Sequence, residues 1–385
     1  MCPEIYLDNA ATTRPDPSVV GAMTRALTED FGNPSSLHGK GVSAERVISS
    51  ARDAVAASLG VAAGEIVFTS GGTEANNLAV LGAARSARGR HVVVSAIEHA
   101  SVLGPTRTLA AEGFEVTTLP VDAAGRVSIP ALTAALRPDT VLVSVMAVNN
   151  ELGTIEPLDE LARVIGAHRT GGATALFHVD AVQAWGKIAL RPSRWGVDLL
   201  SISGHKVHGP KGIGALYIRR GVRLAALVSG GDQERAVRPG TENVPGIAGM
   251  GEAARLLATD IDGAAAQMSA LTARLRDRLL QIPGVTINTP PGGAAPHILN
   301  ATFSGARGET LLHRLEMDGI YVSTGSACHS HQPTPSHVLL AIGRTPEEAA
   351  ASLRFSVSRS TTAAEIDAAA AAVDAAASEL RALRR

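Results

Sequence analysis

Short apolar runs alternate with helical patterns between residues 64 and 220 of this chain. Seven of the runs have the length and the residue types of buried strands. They are EIVFTS (65–70), HVVVSAIEH (91–99), FEVTTLP (114–120), TVLVSVMAVNN (140–150), ALFHVD (175–180), DLLSIS (198–203) and GALYIRR (214–220). Helical patterns lie between several of them, at 73–87, 100–113 and 157–170. This alternation is typical of βαβ units and predicts an α/β fold with a mostly parallel sheet covered on both faces.

The pattern changes after residue 250. Residues 251–281 form one long helical stretch rich in Ala, Leu and Arg, which we expect to connect two structural units. The runs HILNATF (297–303) and ASLRFSVSRS (351–360) then predict strands of a smaller α+β unit. Thr345 and Thr362 each precede a glutamate by three residues, a spacing that predicts a capping box at the start of a helix.

Length and composition agree with two domains. The chain has 385 residues, which exceeds one ordinary domain, and 45% of them are hydrophobic, which is enough for a sizeable core. We expect a large domain at 15–255 and a small domain made of 1–14 and 256–385.

The charge pattern excludes some classes of partner. The formal net charge is −1, so no basic field favours nucleic acid and no polybasic run favours a membrane surface. No apolar run reaches the roughly 18 residues of a membrane span, and the N-terminal MCPEIYLDNAATT lacks the apolar segment of a signal peptide. The two cysteines, Cys2 and Cys328, are too few for a disulfide framework. We expect a cytoplasmic enzyme.

Lysine is scarce, which limits the candidates for lysine chemistry. The four lysines are Lys40, Lys187, Lys206 and Lys211. Lys206 follows the strand that ends at Ser203, at the sheet edge where ligands of α/β proteins bind. Burial there would lower the pKa of an amine and suit it to form a Schiff base. An ordinary loop lysine is the alternative.

The stretch FTSGGTEANN at 68–77 predicts a phosphate site. A strand runs through Gly71, Gly72 and Thr73 into a helix, whose first N–H groups and positive dipole end attract anions. The same kind of turn also occurs where a strand and a helix simply pack closely.

Two further strand ends carry polar side chains. Asp180, with Gln183 just beyond it, could hold the protonated ring nitrogen of pyridoxal phosphate, or could cap a helix. His99 could stack on such a ring, or be structural. A phosphate cradle, a ring stacker, an aspartate and a lysine fall at one sheet edge, in the order that a pyridoxal phosphate enzyme uses.

The sequence resembles a known family, the cysteine desulfurases of the NifS/IscS kind, which are class V aminotransferase-like proteins. The matching motifs, which run in order through nearly the whole chain, are YLDNAATT (6–13), FGNPSSLHG (31–39), SGGTEANN (70–77), Glu98-His99, NNELGT (149–154), DAVQ (180–183), SGHKVHGPKGIGALY (203–217), GGDQERAVRPGTENVPGIAG (230–249) and STGSAC (323–328). The resemblance implies the pyridoxal phosphate fold type I, with a mixed, mostly parallel seven-stranded sheet in the large domain.

The resemblance also implies a role for individual residues. Lys206 would bind the cofactor covalently, and His99 would stack on its ring and relay protons. Asp180 would pair with the ring nitrogen and Gln183 with the ring hydroxyl. The phosphate would be held by Gly72, Thr73, Ser203, His205 and, from the partner subunit of a homodimer, Thr241. The substrate would be held by Arg354, which would clamp its carboxylate, by Asn33, and by Asn149, which would also lie near the ring.

Cys328 lies in a Gly- and Ser-rich stretch that suits an exposed, reactive thiol. The resemblance implies that it attacks the sulfur of L-cysteine, holds that sulfur as a persulfide and passes it to an acceptor protein, for iron–sulfur clusters or thiolation, while alanine is released. Metal binding by Cys328 with His329, His331 and His337 is the alternative, although their spacing is too tight for a standard zinc finger, and we expect no resident metal.

The segment after Cys328 departs from the family pattern. Its Cys-His-Ser run, starting at Cys328, also resembles the selenocysteine lyases of animals, so L-selenocysteine is an alternative substrate. His329 could lower the pKa of the thiol or be merely solvated. A catalytically silent relative that binds the cofactor or a partner is a hypothesis of another class. Intact Lys206, Asp180, His99, Cys328 and Arg354 argue against it.

Overall fold

The computed structural model describes residues 4–172, 174–325 and 335–382. The strands are β1 Ile5–Tyr6, β2 Ile66–Thr69, β3 His91–Ser95, β4 Glu115–Leu119, β5 Thr140–Ser144, β6 Leu176–Asp180, β7 Leu199–Ser203, β8 Gly214–Ile218, β9 Val285–Ile287, β10 Ile298–Phe303, β11 Ile320–Tyr321 and β12 Ser352–Ser356. The helices are α1 Pro17–Thr28, α2 Gly39–Leu59, α3 Gly72–Ser86, α4 Ala100–Ala111, α5 Ile129–Ala135, α6 Leu158–Thr170, α7 Val244–Leu257, α8 Ile261–Leu279, α9 Gly308–Met317, α10 His337–Ala341, α11 Pro346–Ala350 and α12 Ala363–Ala382.

Seven strands form one mixed sheet in the order β2-β8-β7-β6-β5-β3-β4. Strand β8 runs antiparallel to both of its neighbours, and the remaining pairs are parallel. The prediction of a mostly parallel seven-stranded sheet is therefore confirmed. Five of the seven strands are buried along their whole length, as expected for a sheet covered on both faces, whereas the edge strand β4 is partly exposed.

Each face of this sheet has its own hydrophobic core. Val93, on β3, packs on one face with residues of α1, α2 and α7, whereas its neighbours Val92 and Val94 pack on the other face with α3 and α4. The alternation follows from the two-residue period of a strand. Strands β6 and β7 are parallel neighbours, so their carboxyl ends lie at the same edge of the sheet, between the two packed layers.

A smaller α+β unit follows, as the sequence predicted. Strands β9, β10 and β12 form an antiparallel sheet with β10 in the centre, and α8, α9 and α12 pack against it around a separate core. The predicted capping boxes are both present. Thr345 and Glu348 exchange two hydrogen bonds at α11, and Thr362 and Glu365 do the same ahead of α12.

The prediction of one long helix over 251–281 was wrong. Helix α7 already begins at Val244 and ends at Leu257, and α8 begins at Ile261. The side chain of Asp260 accepts a hydrogen bond from the Gly263 N–H, 2.8 Å away, and so caps a new helix. The cap at Asp260 therefore starts a separate helix within a stretch whose composition favours helix.

The N-terminal segment joins the small unit before it reaches the large one. Strand β1 pairs with β11 in parallel, and Asp8 bridges to Ser356. The chain then contacts the large sheet, where the Thr13 N–H donates to the carbonyl of His205. The predicted domain limits, 15–255 against 1–14 with 256–385, stay a prediction. Among the described helices none is both long and apolar enough to cross a bilayer.

Candidate active site

A cavity of about 330 Å³ opens at the carboxyl ends of β6 and β7. Its wall includes nine of the residues that the sequence analysis singled out, namely Gly72, Thr73, His99, Asp180, Gln183, Ser203, His205, Lys206 and Arg354. They come from six elements or loops of the large unit and from β12 of the small unit. The fold therefore brings together residues that are up to 282 positions apart in sequence, from Gly72 to Arg354.

One end of the cavity suits a phosphate. Helix α3 starts there at Gly72, and no side chain caps its first turn. The buried hydroxyl of Ser203 has no hydrogen-bond partner among the described residues. Burial, with Lys206 and Lys211 nearby, lowers the pKa of His205 to about 4. Uncapped N–H groups, an unused hydroxyl and nearby lysines together favour a bound anion.

Gly72 also has a packing role. A Cβ at this position would lie 2.7 Å from Cγ2 of Val182, which is too close without a shift of one or the other. Close packing thus accounts for a glycine at this position, and its phosphate role stays a prediction.

Lys206 ends a single 3₁₀ turn, Gly204–Lys206, directly after β7. Its Nζ donates hydrogen bonds to the carbonyls of Ala10 and Ala11, each 2.7 Å away. The residue is half-buried and lines the cavity. The N-terminal segment thus holds the amine at the site where the sequence analysis expected a Schiff-base lysine.

Asp180 ends β6 and is only 6% exposed. Oδ1 accepts from the Val182 N–H at 2.9 Å, as a cap would, and Oδ2 accepts from Nδ2 of Asn76 at 2.7 Å. Both of these donors are neutral. The carboxylate therefore has a fixed orientation and faces a cavity large enough for a ring.

Asn76 and Ser101 connect Asp180 to His99, and sequence reasoning missed both. Asn76 Nδ2 also donates to Ser101 Oγ at 2.8 Å, so the Ser101 hydrogen is left to donate to Nδ1 of His99, 2.8 Å away. The Ser101 N–H donates to the same Nδ1 at 3.1 Å. A neutral His99 ring therefore carries its proton on Nε2. The available signal was that Asn76 lies about one helical turn after Gly72, on the buried face of α3.

Arg354 lies on β12 and is 3% exposed. Its guanidinium forms an ion pair with Asp8 and donates to the carbonyl of Asn150, both at 2.8 Å. Its Nε is buried and has no hydrogen-bond acceptor among the described residues. A buried donor without an acceptor is costly, so this group is suited to receive an anionic ligand.

Gln183 is held between the two structural units. Its Nε2 donates to the carbonyl of Ala10 at 2.8 Å, and its Oε1 lies 3.2 Å from Nε2 of His297. Burial lowers the pKa of His297 well below its usual value, so this ring is neutral and donates to Gln183. The predicted hydrogen bond from Gln183 to the ring hydroxyl of a cofactor stays a prediction.

Three predicted site residues do not line the cavity. Asn149 is fully buried behind the wall: its Oδ1 accepts from the N–H groups of Glu151 and Leu152, and its Nδ2 donates to the Ile97 carbonyl. Direct contact of Asn149 with a ligand stays a prediction, and the next residue, Asn150, lines the cavity. Asn33 and Thr241 are exposed outside it.

The predicted nucleophile lies outside the described residues, as do His329 and His331. The described chain reaches the cavity wall at Gly325 and resumes at Pro335. His337 Nε2 lies 3.1 Å from the carbonyl of Glu98 and therefore donates to it. Within the described ranges, no three His, Cys, Asp or Glu side chains cluster as metal ligands would.

Comparisons with known proteins agree with this fold. Residues 5–369 match the family model described as aminotransferase class-V. The chain is 45% identical over 365 residues to a cysteine desulfurase IscS of Methanosarcina thermophila, covering 94% of this chain and 89% of that one. The solved structure of a NifS-like protein superposes with a TM-score of 0.91 at 38% identity, covering 97% and 99% of the two chains.

A structure titled SspA in complex with cysteine is also similar, with a TM-score of 0.81 and 34% identity over 93% of this chain and 99% of that one. The chain belongs to the class V aminotransferase family. The resemblance to the NifS/IscS kind of cysteine desulfurase, and the fold that it implies, are thereby confirmed. Pyridoxal phosphate is the general cofactor of this family.

Proposed function

We propose that this protein is a cysteine desulfurase, which converts L-cysteine to L-alanine and transfers the sulfur to an acceptor. The observation that carries the proposal is the single cavity in which the Lys206 amine, the Asp180 carboxylate, His99 and the Arg354 guanidinium meet. No two of these four residues are adjacent in sequence, and together they provide an amine, a ring partner, a proton carrier and a carboxylate clamp.

Pyridoxal phosphate fits the donor set of this cavity. The uncapped start of α3, Thr73 and the unpartnered Ser203 hydroxyl would hold the phosphate, and Asp180 would hold the ring nitrogen. When bound, the cofactor supplies an electron sink for the carbon next to the amine. Lys206, held by the Ala10 and Ala11 carbonyls, would take and return the proton of that carbon.

The carboxylate of the substrate would bind to Arg354. The buried Nε has no acceptor among the described residues, so an incoming carboxylate oxygen would satisfy it. The ion pair with Asp8 leaves the Arg354 side chain little freedom, which orients the substrate before reaction.

Cys328 is proposed as the first sulfur acceptor. Its thiolate attacks the sulfur of cysteine, the bond between that sulfur and the β-carbon breaks, and the bonding electrons stay with the carbon, which takes up a proton. The persulfide on Cys328 then passes its outer sulfur to an acceptor protein of iron–sulfur cluster assembly or thiolation. Thr241 would hold the phosphate only in a homodimer, where an exposed segment of one subunit meets the cavity of the other. Asn33 would assist Arg354 in holding the substrate carboxylate.

The test is Cys328→Ala, with Cys2→Ala as the matched control because Cys2 is the other thiol of the chain. We expect Cys328→Ala to bind cysteine with the spectral change of the cofactor-loaded wild type, yet to release no alanine. Peptide mass spectrometry should find one extra sulfur atom on Cys328 in the wild type and in Cys2→Ala.

The outcome that contradicts the proposal is alanine formation from cysteine at the wild-type rate by Cys328→Ala. Selenocysteine is assayed in parallel, because the Cys-His-Ser run leaves it as an alternative substrate. Faster turnover of selenocysteine, without a persulfide or a dependence on Cys328, would favour a selenocysteine lyase. No turnover of either amino acid by the wild type would favour a silent relative.

A further inference from the structure

A second cavity, of about 520 Å³, lies between the two cores and apart from the active site. We call it the Lys187 cavity. It is bounded by the loop after β6 with Lys187, by His208 after the 3₁₀ turn, by Arg359 after β12, and by the end of α7 and the start of α8. None of the proposed catalytic steps uses these residues.

Lys187 is 4% exposed and lines this cavity. Its Nζ makes no hydrogen bond to any residue in the described ranges. Burial, together with the charge of Arg359, lowers its pKa to about 8, and no carboxylate opposes these effects. At neutral pH most of the lysine is still charged, and a buried ammonium without an acceptor is costly. The chemistry of Lys187 therefore calls for an acceptor inside the cavity.

His208, by contrast, needs a hydrogen-bond donor inside the cavity. Its Nδ1 lies 2.9 Å from the carbonyl of Arg14 and must donate to it, because a carbonyl can only accept. Burial lowers the pKa of the ring to about 4, so Nε2 carries a lone pair at neutral pH. This Nε2 is buried and has no partner among the described residues. It requires a donor.

The remaining charges of the wall leave it positive. Arg359 is paired with Asp16 at 3.2 Å and keeps further donors, and the first turn of the 19-residue helix α8 lies at the wall. Asp260 is the acidic residue of the wall. It is exposed, and its carboxylate accepts from the Gly263 N–H.

We propose that the Lys187 cavity binds a small oxyanion that carries its own O–H group, with hydrogen phosphate as the simplest example. Its oxygens accept from Lys187 and Arg359, and its hydroxyl donates to Nε2 of His208. Phosphate monoesters in their singly protonated form and hydroxycarboxylates share this chemistry. Sulfate has the charge but no O–H at neutral pH, so it leaves His208 unsatisfied.

The test is calorimetric titration of the cofactor-loaded protein, whose active-site phosphate cradle is already filled. Inorganic phosphate, sulfate and lactate are titrated into the wild type, into Lys187→Met and into Lys40→Met, an exposed lysine that serves as the matched control. We expect phosphate to bind more tightly than sulfate, and Lys187→Met to weaken phosphate by about tenfold or more, as expected for a lost hydrogen bond to a charged group. Lys40→Met should bind as the wild type does. Binding of lactate instead of phosphate would identify a hydroxycarboxylate as the ligand.

A second variant covers the case in which Lys187→Met does not fold. His208 has a φ of 61°, a left-handed conformation that asparagine tolerates, and the Nδ2 of His208→Asn can still donate to the Arg14 carbonyl. This variant has no acceptor at the position of Nε2, because its Oδ1 lies nearer the backbone, so phosphate should lose its advantage over sulfate. The proposal is overturned if neither phosphate nor lactate binds, or if phosphate binds Lys187→Met and His208→Asn as it binds the wild type.

Discussion

At the scale of single residues, the hydrogen-bonded bridge from Asp180 through Asn76 and Ser101 to His99 leads to a specific prediction. The Ser101 hydroxyl donates to Nδ1 of His99 at 2.8 Å and so reserves the proton of the neutral ring for Nε2. Ser101→Ala removes this donor and keeps only the longer bond from the backbone N–H. We expect nitrogen NMR of the variant to show a population with the proton on Nδ1, which is absent from the wild type.

Ser101→Thr is the matched control, because it keeps the hydroxyl and should keep the wild-type tautomer. If Ser101 only fills space in the site, Ser101→Ala and the wild type should show the same tautomer, and this result would contradict the prediction. The measurement needs no turnover, so it separates the position of the ring from the chemistry of the loaded enzyme.

Single site residues could be predicted from the sequence where a polar or charged side chain lies at the end of a buried strand. Lys206, Asp180 and His99 each follow a buried strand, and parallel strands end at a common edge. Asn76 and Ser101 were missed because their roles are contacts between two helix starts, α3 and α4, which no local pattern encodes. The bonds that Asn149 accepts from the backbone of the turn after β5 were likewise not predictable from a local pattern.

At the scale of elements, Glu156 connects the turn before α6 to the chain before α5, where its Oε2 accepts from the Val127 N–H at 3.0 Å. Burial, with a smaller effect of Asp122, raises its pKa to about 8. The folded state therefore holds a proton that the unfolded state loses above its ordinary pKa, and the stability contributed by Glu156 falls as pH rises from about 4.5 to 8.

Glu156→Gln removes this titration and keeps an acceptor for Val127. We expect the variant to gain about 1.4 kcal/mol of stability relative to the wild type for each pH unit through that window. Chemical denaturation at pH values on both sides of the window measures the difference. Glu160→Gln, an exposed change on α6, is the control and should show no trend. A constant difference for Glu156→Gln would mean that the buried carboxyl is not protonated.

The elements themselves were largely predictable, but their ends were not. The strand predicted over 140–150 ends at Ser144, because the chain beyond it turns back to form the cavity wall. The break between α7 and α8 depends on one cap at Asp260 within a stretch whose composition favours helix throughout. At Asp260 a short polar interaction thus overrides a helical pattern that spans many residues.

At the scale of the whole molecule, the cavity lies where the two cores and the N-terminal segment meet. Arg354 comes from the small unit, Asp8 from the N-terminal segment and the Asn150 carbonyl from the large unit, and they are joined by two hydrogen bonds of 2.8 Å. The sequence predicted each of the two units from its own pattern. It could not predict this junction, because contacts between units leave no periodic signal in either one.

The proposed homodimer extends this reasoning to a second chain. Thr241 is exposed and lies outside the cavity of its own chain, and the family resemblance implies that it reaches the phosphate of the partner subunit. Lys206→Ala and Thr241→Val should therefore each be impaired at limiting cofactor.

A mixed dimer of the two would contain one site with both wild-type residues, since Lys206 comes from one subunit and Thr241 from the other. Random mixing makes half of the dimers mixed, so about a quarter of wild-type activity should return after the variants are unfolded and refolded together. Refolding each variant alone is the control, and it should recover no more than the residual activity of that variant. Failure of the mixture to exceed the sum of the two separate samples would place Thr241 in its own subunit's site or outside the reaction altogether.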